Sequence, residues 1–97
     1  MQLLETQHLT FTNTANSYYT FGVGLADPAV GVQKIVLRTS ADCYVDFDTA
    51  ATSASGFLLK ATDGQPFEFN FSGGSIKTVH AIGVSDGGTL YIIGIRN

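Results

Sequence analysis

Residues 42–48 read Asp-Cys-Tyr-Val-Asp-Phe-Asp, and this run decides the fold prediction. Cys43, Val45 and Phe47 are apolar, whereas the positions between and around them carry a tyrosine and three aspartates. Successive side chains of a β-strand point to opposite faces, so the run predicts a strand with one apolar and one polar face. A shift of one residue would bury the aspartates, which fixes the orientation. We therefore expect a central strand of an antiparallel sheet that has one face in water.

The same alternation of apolar and polar residues recurs along the chain between clusters of turn-forming residues. Together with 42–48, strands are predicted at 7–13, 18–23, 32–39, 57–61, 67–71, 78–84 and 89–96. About eight short strands without an amphipathic helix predict an all-β fold, an antiparallel β-sandwich or jelly roll. At 97 residues the chain is expected to form one domain, 1–97, in which 1–6 are interpreted as an N-terminal arm.

Loop length and face matching predict a first hairpin around residues 40–42. A three-residue loop there would pair apolar side chains on one face of the hairpin and oppositely charged side chains on the other. The predicted pairs are Leu37 with Val45, Ile35 with Phe47, and Lys34 with Asp48. The small residues of 48–56 then predict a connection that crosses to the second sheet.

A second hairpin is predicted between 57–61 and 67–71. Pairing Ala61 with Phe67 also places Lys60 opposite Glu68, so that faces and charges agree. Five phenylalanines are expected to fill the core between the two sheets. They are Phe47, Phe57, Phe67, Phe69 and Phe71.

A third hairpin is predicted from 78–84 and 89–96, and both of its faces are apolar. One face belongs to the domain core, and the other needs cover from another segment or another subunit. The candidate subunit interface consists of residues from either face: Val79, Ile82, Leu90, Tyr91, Ile92 and Ile93.

Charge is the unusual feature of the composition. Charged residues make up 13% of the chain, against about 25% in an average domain. Desolvation of such a surface against a partner costs less free energy than desolvation of a highly charged one. The net charge of −3 argues against binding to nucleic acid. No signal peptide or membrane-spanning run is found, so we expect no membrane association and synthesis in a reducing cytoplasm. Cys43 is expected to be a buried, inert thiol.

No residue pattern predicts catalysis, a metal site or a cofactor. Asp42, Asp46 and Asp48 could bind calcium, but a solvated strand face paired with Lys34 and Arg38 is the simpler interpretation. Asp42 and Asp46 could act as an acid–base pair only in a cleft, and no bulky residues that would form its wall are found. His8 and His80 lack further ligands at metal-binding spacing, and His80 fits a core or interface position better. The pair Tyr18-Tyr19 could stack on a sugar, although strand propensity also explains it. The chain is therefore not expected to be an enzyme.

Several strand sequences resemble those of small virion proteins from tailed bacteriophages. The resemblance lies in Val-Asp-Phe-Asp at 45–48, Leu-Leu at 58–59, Pro-Phe-Glu-Phe at 66–69, Ala-Ile-Gly at 81–83 and Gly-Thr-Leu-Tyr-Ile at 88–92. It covers almost the whole chain and implies a capsid cement (decoration) protein, or a head or tail accessory protein. Such proteins often form trimers at threefold positions of the shell. The group has no shared catalytic motif, so no site residue is implied.

The sequence thus leads to two functional hypotheses. The first is a structural protein that binds the outer surface of a phage capsid. Its expected partners are the major capsid protein and two further copies of itself, with which it forms a homotrimer. Leu3 and Leu4 of the N-terminal segment are its candidate capsid contacts. The alternative is a carbohydrate- or host-binding accessory module of a phage head or tail, which predicts exposed aromatic side chains in a concave patch.

Overall fold

The computed structural model describes residues 3–21, 32–62, 66–71 and 76–96, and for 3–5 and 96 the backbone only. Within these ranges all regular elements are strands, as expected. They are β1 Leu3–Phe11, β2 Ser17–Thr20, β3 Lys34–Thr39, β4 Cys43–Phe47, β5 Phe57–Leu59, β6 Phe67–Asn70, β7 Thr78–Gly83 and β8 Gly88–Arg96. They form two four-stranded sheets, sheet A with the order β1-β8-β3-β6 and sheet B with the order β2-β7-β4-β5. The predicted β-sandwich is confirmed.

The strand pairs are nested one inside another. β4 pairs with β5, β3 with β6, β2 with β7, and β1 with β8, all antiparallel. The chain therefore resembles one long antiparallel ribbon that turns back between β4 and β5. Two further pairs, β8 with β3 and β7 with β4, roll this ribbon into two sheets. This is the jelly-roll arrangement of a double-sheet fold.

The predicted hairpin around 40–42 is wrong, because β3 lies in sheet A and β4 in sheet B. Residues 40–42 instead cross between the sheets. The inward faces were nevertheless predicted correctly, since Leu37 and Val45 are both fully buried. Their side chains point into the core from opposite sheets. The alternation of apolar residues predicts the same inward side chains whether two strands pair within one sheet or face each other across the core.

The predicted hairpin between 57–61 and 67–71 is also wrong. Leu59 of β5 pairs with Cys43 in sheet B, whereas Phe69 of β6 pairs with Ile35 in sheet A. The connection 48–56 joins neighbouring strands of sheet B and does not cross between the sheets, contrary to the prediction.

Charge pairing follows the observed topology. Glu68 contacts Lys34 with 2.8 Å between Oε1 and Nζ, in place of the predicted partners Lys60 and Asp48. Both side chains of this ion pair are more than a third exposed, so it stabilises the fold by about 1 kcal/mol at most.

The two C-terminal strands do not form a hairpin either. β7 contributes Val79 and Ala81 to the core from sheet B, and β8 contributes Leu90 and Ile92 from sheet A. The face that carries these four residues is therefore part of the core and needs no second subunit to cover it.

The core lies between the sheets and is mainly aliphatic. Its buried members are Phe11, Phe21, Val32, Ile35, Leu37, Cys43, Val45, Leu59, Val79, Ala81, Leu90 and Ile92. Gly94 of β8 makes room for Phe21, because a Cβ at this glycine would lie 2.8 Å from the aromatic ring. Substitution of Gly94 would force Phe21 out of its position in the core.

The five phenylalanines predicted to fill the core lie largely at its margin. Phe47, Phe67, Phe69 and Phe71 are only half-buried, and Phe57 is 52% exposed. β5 and β6, which carry three of these side chains, are edge strands of the two sheets. A ring on an edge strand has no neighbouring strand on one side and stays partly exposed. The alternation of apolar and polar residues does not show which strands lie at an edge.

The predicted N-terminal arm is wrong for residues 3–6. Leu3 pairs with Arg96 and Thr6 pairs with Ile93, so this segment belongs to β1 at the edge of sheet A. Residues 1 and 2 lie outside the described residues.

Two phenylalanine substitutions test this division between core and margin. Phe11→Ala removes a side chain that is 1% exposed and should lower the free energy of unfolding by about 3–5 kcal/mol. Phe57→Ala removes a half-exposed ring and should cost about 1 kcal/mol. Urea unfolding followed by circular dichroism measures both, and equal losses would contradict the observed core.

Candidate functional site

The aspartates of the run 42–48 bind backbone groups of their own chain. The Asp42 Oδ1 atom accepts a hydrogen bond from the Ala61 N–H at 2.8 Å, and Asp46 Oδ1 accepts one from the Phe47 N–H at the same distance. These contacts replace the predicted pairing with Lys34 and Arg38. Among the described residues no group of three or more His, Cys, Asp or Glu side chains is arranged to hold a metal ion.

Asp48 makes the most extensive of these contacts. Its Oδ1 accepts hydrogen bonds from the N–H groups of Lys77 and Thr78, both at 2.8 Å, and from the Thr78 hydroxyl at 3.3 Å. Its own N–H donates to the Thr78 carbonyl at 3.0 Å. The φ angle of Asp48 is 61°, a left-handed conformation that Asp and Asn tolerate better than most residues. Asp48 therefore joins the end of β4 to the start of β7.

Loss of the Asp48 carboxylate should destabilise the fold. We expect Asp48→Ala to lower the free energy of unfolding by about 1–3 kcal/mol, because two backbone N–H groups lose a charged acceptor. Asp48→Asn should cost less, since its amide oxygen still accepts and asparagine tolerates the left-handed conformation. Urea unfolding is the measurement, with the exposed Asp86→Ala as a control of the same chemical change. An unchanged stability for Asp48→Ala would contradict the role given to this carboxylate.

Cys43 is a buried thiol, as predicted. Burial is the main cause that raises the pKa of Cys43 above its usual value of 9.0, and the charge of Asp42 raises it further. A hydrogen bond from Sγ to Thr39 Oγ1, 3.6 Å long, acts in the opposite direction. The thiol is therefore held protonated within the core, which makes it a poor nucleophile.

The thiol of Cys43 should react with Ellman's reagent far more slowly in the folded protein than in urea. Because its pKa is higher in the folded state, the unfolded thiol loses its proton first. The free energy of unfolding should thus fall as the pH rises above 9.0, and Cys43→Ala should lack this contribution. Fast labelling of the folded protein at pH 8 would contradict the buried position.

The outer face of sheet A carries a stripe of apolar side chains. Tyr91, Ile93 and Ile95 point outward from β8, and Val36 lies opposite Ile93 on β3. Tyr91 is 42% exposed, and the other three side chains are half-buried. We call these four residues the sheet A stripe. His8 flanks it, with its ring packed edge-on against Tyr91 at a centroid distance of 4.8 Å.

The outer face of sheet B carries aromatic and polar side chains. A row runs across three strands from Tyr18 on β2 to His80 on β7 and Asp46 on β4. The rings of Tyr18 and His80 are stacked, with centroids 5.5 Å apart and planes inclined by 27°. In the next row Tyr44 lies opposite Ile82. We call Tyr18, Tyr44, Asp46 and His80 the sheet B platform.

A third surface lies where the edge strands of the two sheets come together. Phe47 contacts Phe57, Phe69 and Phe71 there, with ring centroids 5.0–6.2 Å apart. Phe57 is the most exposed ring of this group, at 52%. We call these four phenylalanines the phenylalanine edge. The neighbouring Leu58 lies opposite Tyr44 and belongs to the outer face of sheet B.

The residues of the candidate subunit interface do not form one surface. Val79, Leu90 and Ile92 are buried in the core, so they are not available to a partner, and this part of the prediction is wrong. Ile82 lies on the outer face of sheet B, and Tyr91 and Ile93 lie on that of sheet A. For the candidate capsid contacts, the backbones of Leu3 and Leu4 pair with Arg96 and Ile95.

Two features of these surfaces were not predicted from the sequence. Val36 belongs to the sheet A stripe, and it alternates with the inward Ile35 and Leu37, which could have indicated its direction. Tyr18, His80 and Asp46 are distant in sequence, and only the pairing of β2, β7 and β4 brings them together.

Comparison of the chain with protein-family models, with curated proteins and with solved structures found no match. Within the described residues no helix has the length and apolar character needed to cross a membrane.

Proposed function

We propose that this protein is a structural virion component, a cement protein that binds the outer surface of a phage capsid and stabilises the shell. The observation that carries the proposal is the sheet A stripe, an apolar surface on a chain with few charges. The resemblance of its strand sequences to small phage virion proteins supports the same function. In this proposal the protein is not an enzyme, and its site of action is the capsid surface of the virion.

The sheet A stripe suits a broad contact with another protein. Ile93 lies between Val36 and Thr6 on the neighbouring strands, so the centre of the face is without charge across three strands. Charged side chains, Lys34 and Arg38, lie beside it on β3. An uncharged centre with a polar rim is typical of protein interfaces.

Binding to the assembled shell would stabilise it by mass action. A protein that contacts neighbouring capsid subunits binds the intact shell and not the separated subunits. Burial of the stripe contributes about 25 cal/mol for each Å² of apolar surface removed from water. The low charge of the chain keeps the opposing cost of desolvation small.

A homotrimer remains part of this proposal, although the doubly apolar hairpin that suggested it does not exist. The resemblance to cement proteins still favours threefold assembly on the shell. The phenylalanine edge offers a self-contact that leaves the sheet A stripe free, because Phe57 is exposed at the side of the sandwich. Unpaired edge strands gain from cover by a neighbouring copy.

Capsid binding is tested by sedimentation of the purified protein with shells of its own phage. We expect the protein to sediment with the shells and Ile93→Asp to reduce binding at least about tenfold, because a buried unpaired carboxylate costs more than 1.4 kcal/mol. Tyr18→Ala, on the opposite sheet, is the matched control and should bind normally. Circular dichroism confirms that each variant is folded.

Absence of the wild-type protein from the sedimented shells, or normal binding by Ile93→Asp, would contradict the assignment of the stripe. Light scattering addresses the trimer separately. A monomer mass at micromolar concentration would remove the threefold self-contact from the proposal and leave the capsid contact to be decided by sedimentation.

A further inference from the structure

The sheet B platform has the chemistry of a carbohydrate site. We propose that Tyr18, Tyr44, Asp46 and His80 bind a pyranose ring of a glycan, with Tyr18 stacked on the C–H face of the sugar. This inference goes beyond capsid binding, because the platform and the sheet A stripe lie on opposite outer faces of the sandwich. A protein attached to a shell through sheet A would present sheet B to the solvent.

Tyr18 is the most exposed large hydrophobic side chain of the molecule's described part, at 63%. It lies on β2, the edge strand of sheet B, so one of its ring faces has no neighbouring strand beyond it among the described residues. The other ring face is stacked on His80. A tyrosine held in this way offers a large rigid surface and loses little conformational freedom when a ligand covers it.

The corresponding pair on sheet A has a different geometry. There Tyr91 lies on β8, an interior strand, and meets His8 edge-on at an interplanar angle of 79°. Tyr91 is flanked by His8 and Arg38 on the adjacent strands. Both faces of the sandwich therefore carry a Tyr–His pair, but Tyr18 is the one at an open edge.

His80 is oriented by a chain of hydrogen bonds. Its Nε2 lies 3.0 Å from Thr78 Oγ1, and that hydroxyl lies 3.3 Å from Asp48 Oδ1. Because a carboxylate oxygen only accepts, the Thr78 hydroxyl donates to Asp48, and the His80 Nε2–H donates to Thr78. In the neutral imidazole this leaves Nδ1 as an acceptor for a ligand hydroxyl.

Asp46 adds a second acceptor beside His80. Its Oδ1 is occupied by the Phe47 N–H, and its Oδ2 makes no hydrogen bond to the described part of the chain. The hydroxyls of Tyr18 and Tyr44 likewise have no hydrogen-bond partner there. The platform thus combines a free aromatic face with several uncommitted polar atoms, which together match a ring that has an apolar face and a rim of hydroxyls.

The spacing of the platform accommodates more than one sugar ring. Tyr18 and Tyr44 are separated by two strand spacings and two residues along the strand, which places their Cα atoms about 12 Å apart. A disaccharide is longer than a single pyranose and therefore spans this distance better than a monosaccharide, with stacking and hydrogen bonding at both ends.

Saturation-transfer NMR on the full chain tests the inference with four disaccharides as probes: cellobiose, lactose, maltose and N,N′-diacetylchitobiose. We expect at least one to bind at millimolar concentration, with the strongest saturation on ring C–H protons. Tyr18→Ala should weaken that binding at least about tenfold, and Tyr18→Phe, which keeps the ring, by about threefold or less. Tyr91→Ala is the matched control and should bind the sugar as the wild type does.

Failure of all four disaccharides to bind would overturn the inference, as would normal binding by Tyr18→Ala. Loss of binding in Tyr91→Ala but not in Tyr18→Ala would place the sugar on the other sheet and overturn it too. These outcomes are separable from those of the capsid proposal, because sedimentation with shells uses a variant of sheet A and requires no sugar.

Discussion

The structure depends on the pairing of β8 with β3 and of β7 with β4. Without these contacts the chain would be a single nested ribbon with one apolar face and no second layer to cover it. With them the ribbon divides into two sheets whose apolar faces meet. Leu37 from sheet A and Val45 from sheet B then share one core, although only eight positions separate them along the chain.

Two aspartates stabilise this strand arrangement through hydrogen bonds to the backbone. Asp42 binds the backbone just beyond β5, and Asp48 binds the backbone at the start of β7, the two strands that flank β4 in sheet B. Their carboxylates satisfy N–H groups at points where the strand ladder ends.

Three surfaces of different chemistry remain on the outside. The sheet A stripe is mostly aliphatic with one tyrosine, the sheet B platform is aromatic and polar, and the phenylalanine edge lies at the side between the sheets. Because they point in different directions, contact at one does not block another. Attachment to a shell, self-association and recognition of a glycan are therefore compatible in one molecule of this size, and each can be removed by a substitution that leaves the others in place.

The sequence by itself determined which face turns inward for the strands that have one apolar face, but not for β7 and β8, which are apolar on both faces. Alternation at 42–48 placed Cys43 and Val45 in the core, and the same rule held for Ile35 and Leu37. It did not determine the strand partners, because hydrophobic alternation has the same period whether a neighbour lies beside a strand or across the core. Partners, and with them the half-exposed phenylalanines and the row of Tyr18, His80 and Asp46, were decided only by the tertiary structure. Long-range pairing brings together residues whose separation in sequence carries no signal of contact.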